Sequence, residues 1–233
     1  MRILVAPALL AAAVTLGPTA VAAQADVVAH WQMDEGSGAS VMQDSASLGG
    51  DNDGEIHHVT TGDPGLVSGS AYTFDGATSY VEVPDADGLD PGTARISLSA
   101  AVRTVDGPMP DDSYDLVRKG VLNTKGGYWK MEIKRASNAS VGRLHCVFKG
   151  RLPSGSMKIA KLVAKPDVVD GRIHRVQCVR TGDKIQAVVD GRVYSKTIAT
   201  GSIANNQSVI VGAKLAGDDV LKGALDAVVV DID

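Results

Sequence analysis

The sequence predicts an all-β fold, an antiparallel sandwich or jelly roll, and three features carry that expectation. Short runs alternate apolar and polar residues with period two, as half-buried strands must. Gly, Asp, Asn and Pro separate those runs at close spacing. No stretch sustains a helical period or a βαβ rhythm.

In chain order, residues 79–84 place Val81 and Val83 on one side and Glu82 on the other, and end at Pro84. Residues 95–103 alternate most clearly, with Ile96, Leu98, Ala100 and Val102 against Ser97, Ser99 and Arg103. Residues 127–134, 142–150 and 157–163 repeat the pattern. From 172 to 197 the chain reads as a meander: a strand to Arg180, a turn at Gly182-Asp183, a return over 184–189, then Asp190-Gly191 and residues 192–197. An Asp-Gly pair supplies the positive φ that a two-residue hairpin requires. Strands at 208–213 and 224–232 close the chain. The segment 36–54 is long, acidic and glycine-rich, the composition of a functional or metal-ordered loop.

Residues 1–25 read as a secretory signal peptide, with Arg2, an apolar run from Ile3 to Leu16, and Ala23-Gln24-Ala25 as the cleavage site. The run is too short to span a bilayer, and no later run approaches that length, so residues 26–233 are expected to form one secreted, extracellular domain without a transmembrane segment. A net charge of −4 and the absence of a basic cluster argue against nucleic acid as a partner. Cys146 shares a strand face with Leu144 and Phe148, and Cys178 shares one with Val176. Two cysteines on apolar strand faces of an exported chain read as one disulfide bond, with two buried free thiols as the alternative.

With these elements in place, the sequence resembles the laminin G-like, concanavalin A-like lectin–glucanase jelly rolls, in particular secreted actinobacterial members. Val28-Ala29-His30-Trp31 with the acidic turn Asp34-Glu35-Gly36 is similar to the family's opening strand, and Asp44-Ser45 followed by Gly49 to Gly54 to its Asp-rich loop. Phe74-Asp75-Gly76 with Tyr80-Val81-Glu82-Val83 matches a further segment. Lys119-Gly120, Gly126-Gly127-Tyr128-Trp129, Asp170-Gly171-Arg172-Ile173-His174 and Val189-Asp190-Gly191 follow in family order, and Lys222-Gly223-Ala224-Leu225-Asp226 resembles the closing strand. Ala101, Ile173 and Leu221 stand where the family usually has aromatic residues, which weakens the transfer of an aromatic binding surface.

The resemblance implies extracellular recognition of a carbohydrate or a protein, at the rim loops or on the concave sheet. It also implies a structural Ca²⁺ held by Asp44 and Asp226, with Asn52 and Asp53 as further ligands. The parity of the last strand puts Asp226 on one face with Val228, Val230 and Ile232, where a carboxylate needs a metal or hydrogen-bond donors. Backbone N–H groups or an arginine would serve equally well. Tyr128 and Trp129 are candidate ligand contacts, whereas Trp31 is expected in the core. The alternative readings are a glycoside hydrolase or lyase of the same superfamily and a structural or adhesive envelope protein. For the hydrolase, none of the four glutamates, Glu35, Glu55, Glu82 and Glu132, opens the Glu-x-Asp-x-x-Glu pattern of related glucanases. The five histidines make no metal triad, and no catalytic residue is assigned.

Overall fold

A computed structural model describes residues 27–46, 51–137 and 139–233. The signal peptide expected at 1–25, and Gly49 and Gly50 of the early loop, lie outside the described residues.

The described residues form sixteen strands: β1 (Val27–Trp31), β2 (Val41–Met42), β3 (Gly54–His57), β4 (Thr60–Pro64), β5 (Ser70–Asp75), β6 (Tyr80–Val83), β7 (Ile96–Arg103), β8 (Ser113–Lys119), β9 (Tyr128–Arg135), β10 (Gly142–Arg151), β11 (Met157–Val163), β12 (His174–Thr181), β13 (Lys184–Val189), β14 (Arg192–Thr197), β15 (Val209–Val211) and β16 (Lys222–Ile232). A 3₁₀ turn, Asp87–Leu89, lies between β6 and β7. Among the described residues the strands form two antiparallel sheets of eight. The first runs β14-β13-β12-β7-β16-β5-β4, with β1 also on β16; the second runs β11-β10-β9-β8-β15-β6-β3-β2. The protein is a jelly-roll sandwich.

The alternation read from the sequence decides which side chains meet between the layers. Leu98 and Val102 of β7 face Met131, Leu144 and Phe148 of the opposite sheet in one apolar core. Met33, just before the early loop, and Met42, within it, are buried in that core as well. Short strands suffice because their inward apolar side chains are buried against the opposite layer, which offsets the cost of ordering the backbone. Cys146 of β10 and Cys178 of β12 form a disulfide, with Cα atoms 5.4 Å apart. Their strands belong to different sheets, so the bond staples the two layers through the core.

The hairpin at Asp190-Gly191 has positive φ at both residues, 49° and 78°, and carries β13 into β14 with paired register. The early segment differs from the single loop expected over 36–54: it contains β2, and it delivers Gly54 into β3 against β6. Gly54 has no side chain because a Cβ there would meet Val81 Cγ1 at 2.6 Å.

Candidate functional site

The early-loop residues do converge. Asp44 Oδ1 accepts the backbone N–H of His30 at 2.8 Å and of Ala46 at 2.9 Å. Its Oδ2 accepts Asn52 Nδ2 at 3.0 Å and the Asn52 backbone N–H at 3.3 Å. Asp53 Oδ1 accepts the Asp44 N–H at 2.7 Å. Asn52 also donates to Val28 O at 2.9 Å, and its carbonyl accepts Trp31 Nε1–H at 2.7 Å. The cluster pins the loop to β1 through N–H donors, which occupy the lone pairs that a hard cation needs.

Asp226 is not part of this cluster, and its expected face is corrected by the structure. In β16 the pairing with β7 slips by one residue between Asp226, opposite Ala101, and Val229, opposite Ser99. The extra residue is a β-bulge with Ala227 at φ 50°, and a bulge reverses the parity of everything before it. Val228 and Val230 therefore point into the core, while Asp226 points outward beside Ala101, Leu66 and Ala224. Its Oδ2 accepts the N–H groups of Leu66 and Val67, each at 2.8 Å. The structure thus brings Asp44, Asn52 and Asp53 together, while Asp226 bonds the Leu66–Val67 backbone. Among the described residues, no three His, Cys, Asp or Glu side chains gather as a metal-binding group.

Trp129 is fully buried and donates Nε1–H to Leu89 O at 3.2 Å, so its ring is out of reach of a ligand. Trp31 is likewise in the core. Tyr128, of opposite parity, lies on the outer face of the second sheet beside Lys149 and is mostly covered.

That outer face carries an ion network that sequence reading missed. Asp115 of β8 stands directly opposite Glu132 of β9, and Glu132 opposite His145 of β10. Lys130 Nζ bridges Glu132 Oε2 at 2.5 Å and Asp115 Oδ1 at 3.3 Å, and Arg118 closes a short ion pair on Asp115 Oδ2. Burial raises the Asp115 pKa despite Arg118 and Lys130. Burial also pushes Glu132 upward, but Lys130, His145 and Lys161 together outweigh it and the net shift is down. Burial, with Lys161 nearby, takes His145 down to about 4. Divergent carboxylates are the pattern of an acid–base pair. Here, however, Asp115 has no exposed surface and its oxygens are clamped by two cations, so no substrate reaches it. The alternation Tyr128, Lys130, Glu132 pointed to this face, but the one-residue slip in β8 after Asp115 had no sequence signal.

At one end of the second sheet, the β8–β9 loop and the segment before β15 enclose a cleft of about 700 Å³. It is lined by Asn123, Thr124 and Lys125 on one side and by Asn205, Asn206 and Gln207 on the other. Asn206 and Gln207 are exposed, as are Asn123 and Lys125. The buried Asn205 locks the walls: Nδ2 donates to Gly127 O at 3.1 Å, and Oδ1 accepts the Gln207 N–H at 3.0 Å. Gly126 has φ 87°, and a Cβ there would stand 1.7 Å from Ala204 O, so the two loops touch backbone to backbone. Lys149 Nζ holds the far side by donating to Leu122 O at 2.5 Å. A second groove, of about 130 Å³, shares Val121 and Gln207 with this cleft and leads toward Arg118 and Lys214. In the sequence Gly126-Gly127 stood out only as a family pattern and nothing assigned Asn206 to a site; the cleft exists because residues about 80 positions apart are brought together, as the Asn205–Gly127 bond shows at a separation of 78.

No family model matches the chain, and no curated protein matches it in sequence. Solved structures do share its fold. Domain 4 of AbnA, a GH43 extracellular arabinanase from Geobacillus stearothermophilus, in complex with arabinotriose, superposes with a TM-score of 0.63 at 15% identity, covering 89% of this chain and 93% of that domain. The binding domain of Paraclostridial Mosquitocidal Protein 1 gives 0.60 at 17% identity, covering 88% of this chain and 48% of its own. The binding domain of botulinum neurotoxin DC, in complex with SialylT, gives 0.57 at 12% identity, covering 89% and 49%. This chain spans about half the length of the two toxin domains. At these identities the likeness establishes the fold.

Proposed function

We propose that this chain is an exported, non-catalytic binding module that recognises a glycan at the rim cleft between the β8–β9 loop and the segment before β15. The observation that carries the reading is the lining: exposed Asn123, Lys125, Asn206 and Gln207 with Thr124, on loops locked from below by Asn205. An amide offers both donor and acceptor, which suits the paired hydroxyls of a sugar ring, and a fixed wall reduces the entropy lost on binding. The volume of the cleft, with a groove that shares Val121 and Gln207 with it, suits an oligosaccharide better than a single sugar. Two domains of the same fold, in complex with arabinotriose and with SialylT, support the class of ligand without naming it. The N-terminal segment 1–25 and the Cys146–Cys178 disulfide both suit export to an oxidising compartment. Among the described residues no helix is long and apolar enough to cross a membrane.

A glycan array read with the purified protein tests the reading, followed by titration of the best glycan against Asn206→Ala and Gln207→Ala. Each variant is expected to weaken binding about tenfold, the loss of one or two hydrogen bonds. A silent array, or a glycan bound equally by both variants, removes the cleft as the site. In that event an extracellular protein becomes the partner to seek.

A further inference from the structure

We infer that Lys119 is a built-in cation of the rim cleft: its ammonium fills an oxygen cage of the kind a hard divalent ion takes, and it ties the cleft's supporting loops together in place of a metal. Lys119 ends β8 opposite Trp129 and has no exposed surface. Its Nζ lies 2.7 Å from Asp85 Oδ1 and 2.6 Å from Asp90 Oδ1, and donates to the Asn205 carbonyl as well. An ammonium has three N–H donors and no acceptor, so three oxygens satisfy it.

The three oxygens come from separate stretches of chain: the residues after β6, the residue after the 3₁₀ turn, and the wall of the cleft itself. Asp90 reinforces the last of these, because both its oxygens lie 3.2 Å from the Asn205 N–H. Asn205 in turn positions Gly127 and Gln207. A line of contacts therefore runs from the buried ammonium to the two sides of the cleft. Two carboxylates and a peptide carbonyl are also the donors that Ca²⁺ selects, at about 2.3–2.6 Å. The early-loop carboxylate of Asp44, by contrast, is taken up by N–H donors. At Lys119 two carboxylates and a carbonyl converge on one point, and the chain itself supplies the positive charge there.

The inference depends on the glycan reading only for the place where it acts; its test reads unfolding, so the two fail separately. Thermal melts of the full chain are run in excess chelator and in millimolar CaCl₂, with NaCl at matched ionic strength, for the wild type, Lys119→Ala and Lys119→Met. The wild-type Tm is expected to be the same in all three solutions. Lys119→Ala loses on the order of 10 °C, because it removes a fully buried cation and leaves two carboxylates and a carbonyl facing one another, and CaCl₂ but not NaCl restores at least half of the loss. Lys119→Met, which fills the space without charge, is destabilised and not restored by calcium. A wild-type Tm that rises with calcium or falls with chelator overturns the inference, as does a Lys119→Ala protein that melts like the wild type or ignores calcium. Should Lys119→Ala not fold, Asp85→Asn, at the more exposed carboxylate, carries the test. It is expected to lower Tm by a few degrees with no response to calcium, and a Tm equal to the wild type overturns the inference.

Discussion

The carboxylate of Asp226 accepts the backbone N–H of Leu66 at 2.8 Å, across 160 residues of sequence. With the parallel bond from Val67, this holds the β4–β5 turn against the outer face of the first sheet, where Val67 walls a cavity of about 350 Å³ floored by Ser99 and Ala101. Asp226→Ala leaves two N–H groups without their acceptor and is expected to cost about 2–3 kcal/mol in urea unfolding. Asp226→Asn, which keeps one acceptor oxygen, costs less. Both losses are expected to be identical with and without calcium; a calcium-dependent gain abolished by Asp226→Ala would return this residue to a metal site.

His174 bonds two carboxylates at once, Asp190 Oδ2 from Nδ1 at 2.7 Å and Asp170 Oδ1 from Nε2 at 3.0 Å. Donation to both carboxylates at once needs a proton on each ring nitrogen, so these bonds favour the imidazolium form. Burial lowers its pKa, but the bonds to Asp190 and then Asp170 together raise it above 6.5. Because the folded value exceeds the unfolded one, the stabilisation is complete below the unfolded pKa and is lost as pH rises through the raised value. Urea midpoints are therefore expected to fall from mildly acidic to alkaline pH, and His174→Gln should remove that component of the slope. A slope identical in the two proteins would contradict the assignment.

The inter-sheet disulfide closes a separation of 32 residues and is fully buried. Loop-closure entropy makes such a link worth about 3–4 kcal/mol. The double variant Cys146→Ala, Cys178→Ala is expected to unfold at correspondingly lower urea. In the native wild type, a mild reductant should leave the bond intact until the protein opens, so thiol titration without denaturant should read close to zero.

Gly126→Ala tests the cleft from its backbone. The added methyl meets Ala204 O and forces a left-handed residue to carry a side chain. The loops are expected to separate, with glycan affinity falling at least tenfold and Tm by a few degrees. Gly155→Ala, at a positive φ of 85° but with open space around it, controls for conformational cost and should leave binding unchanged.

Period-two alternation, turn residues and the two cysteines determined the strands, most of their inward faces and the staple between the layers, because each of these depends on neighbours close in sequence. Residues 95–103 and the Asp190-Gly191 hairpin were legible for that reason, and the structure contains them as β7 and the β13–β14 turn. Which way Asp226 points was decided only by the bulge at Ala227, since one inserted residue reverses a parity that local sequence cannot reveal. The rim cleft and the Lys119 cage were likewise decided by tertiary structure: the cage gathers Asp85, Asp90, Lys119 and Asn205 from four stretches of chain. A lysine in a strand reads as a solvated charge until the folded chain surrounds it with oxygen.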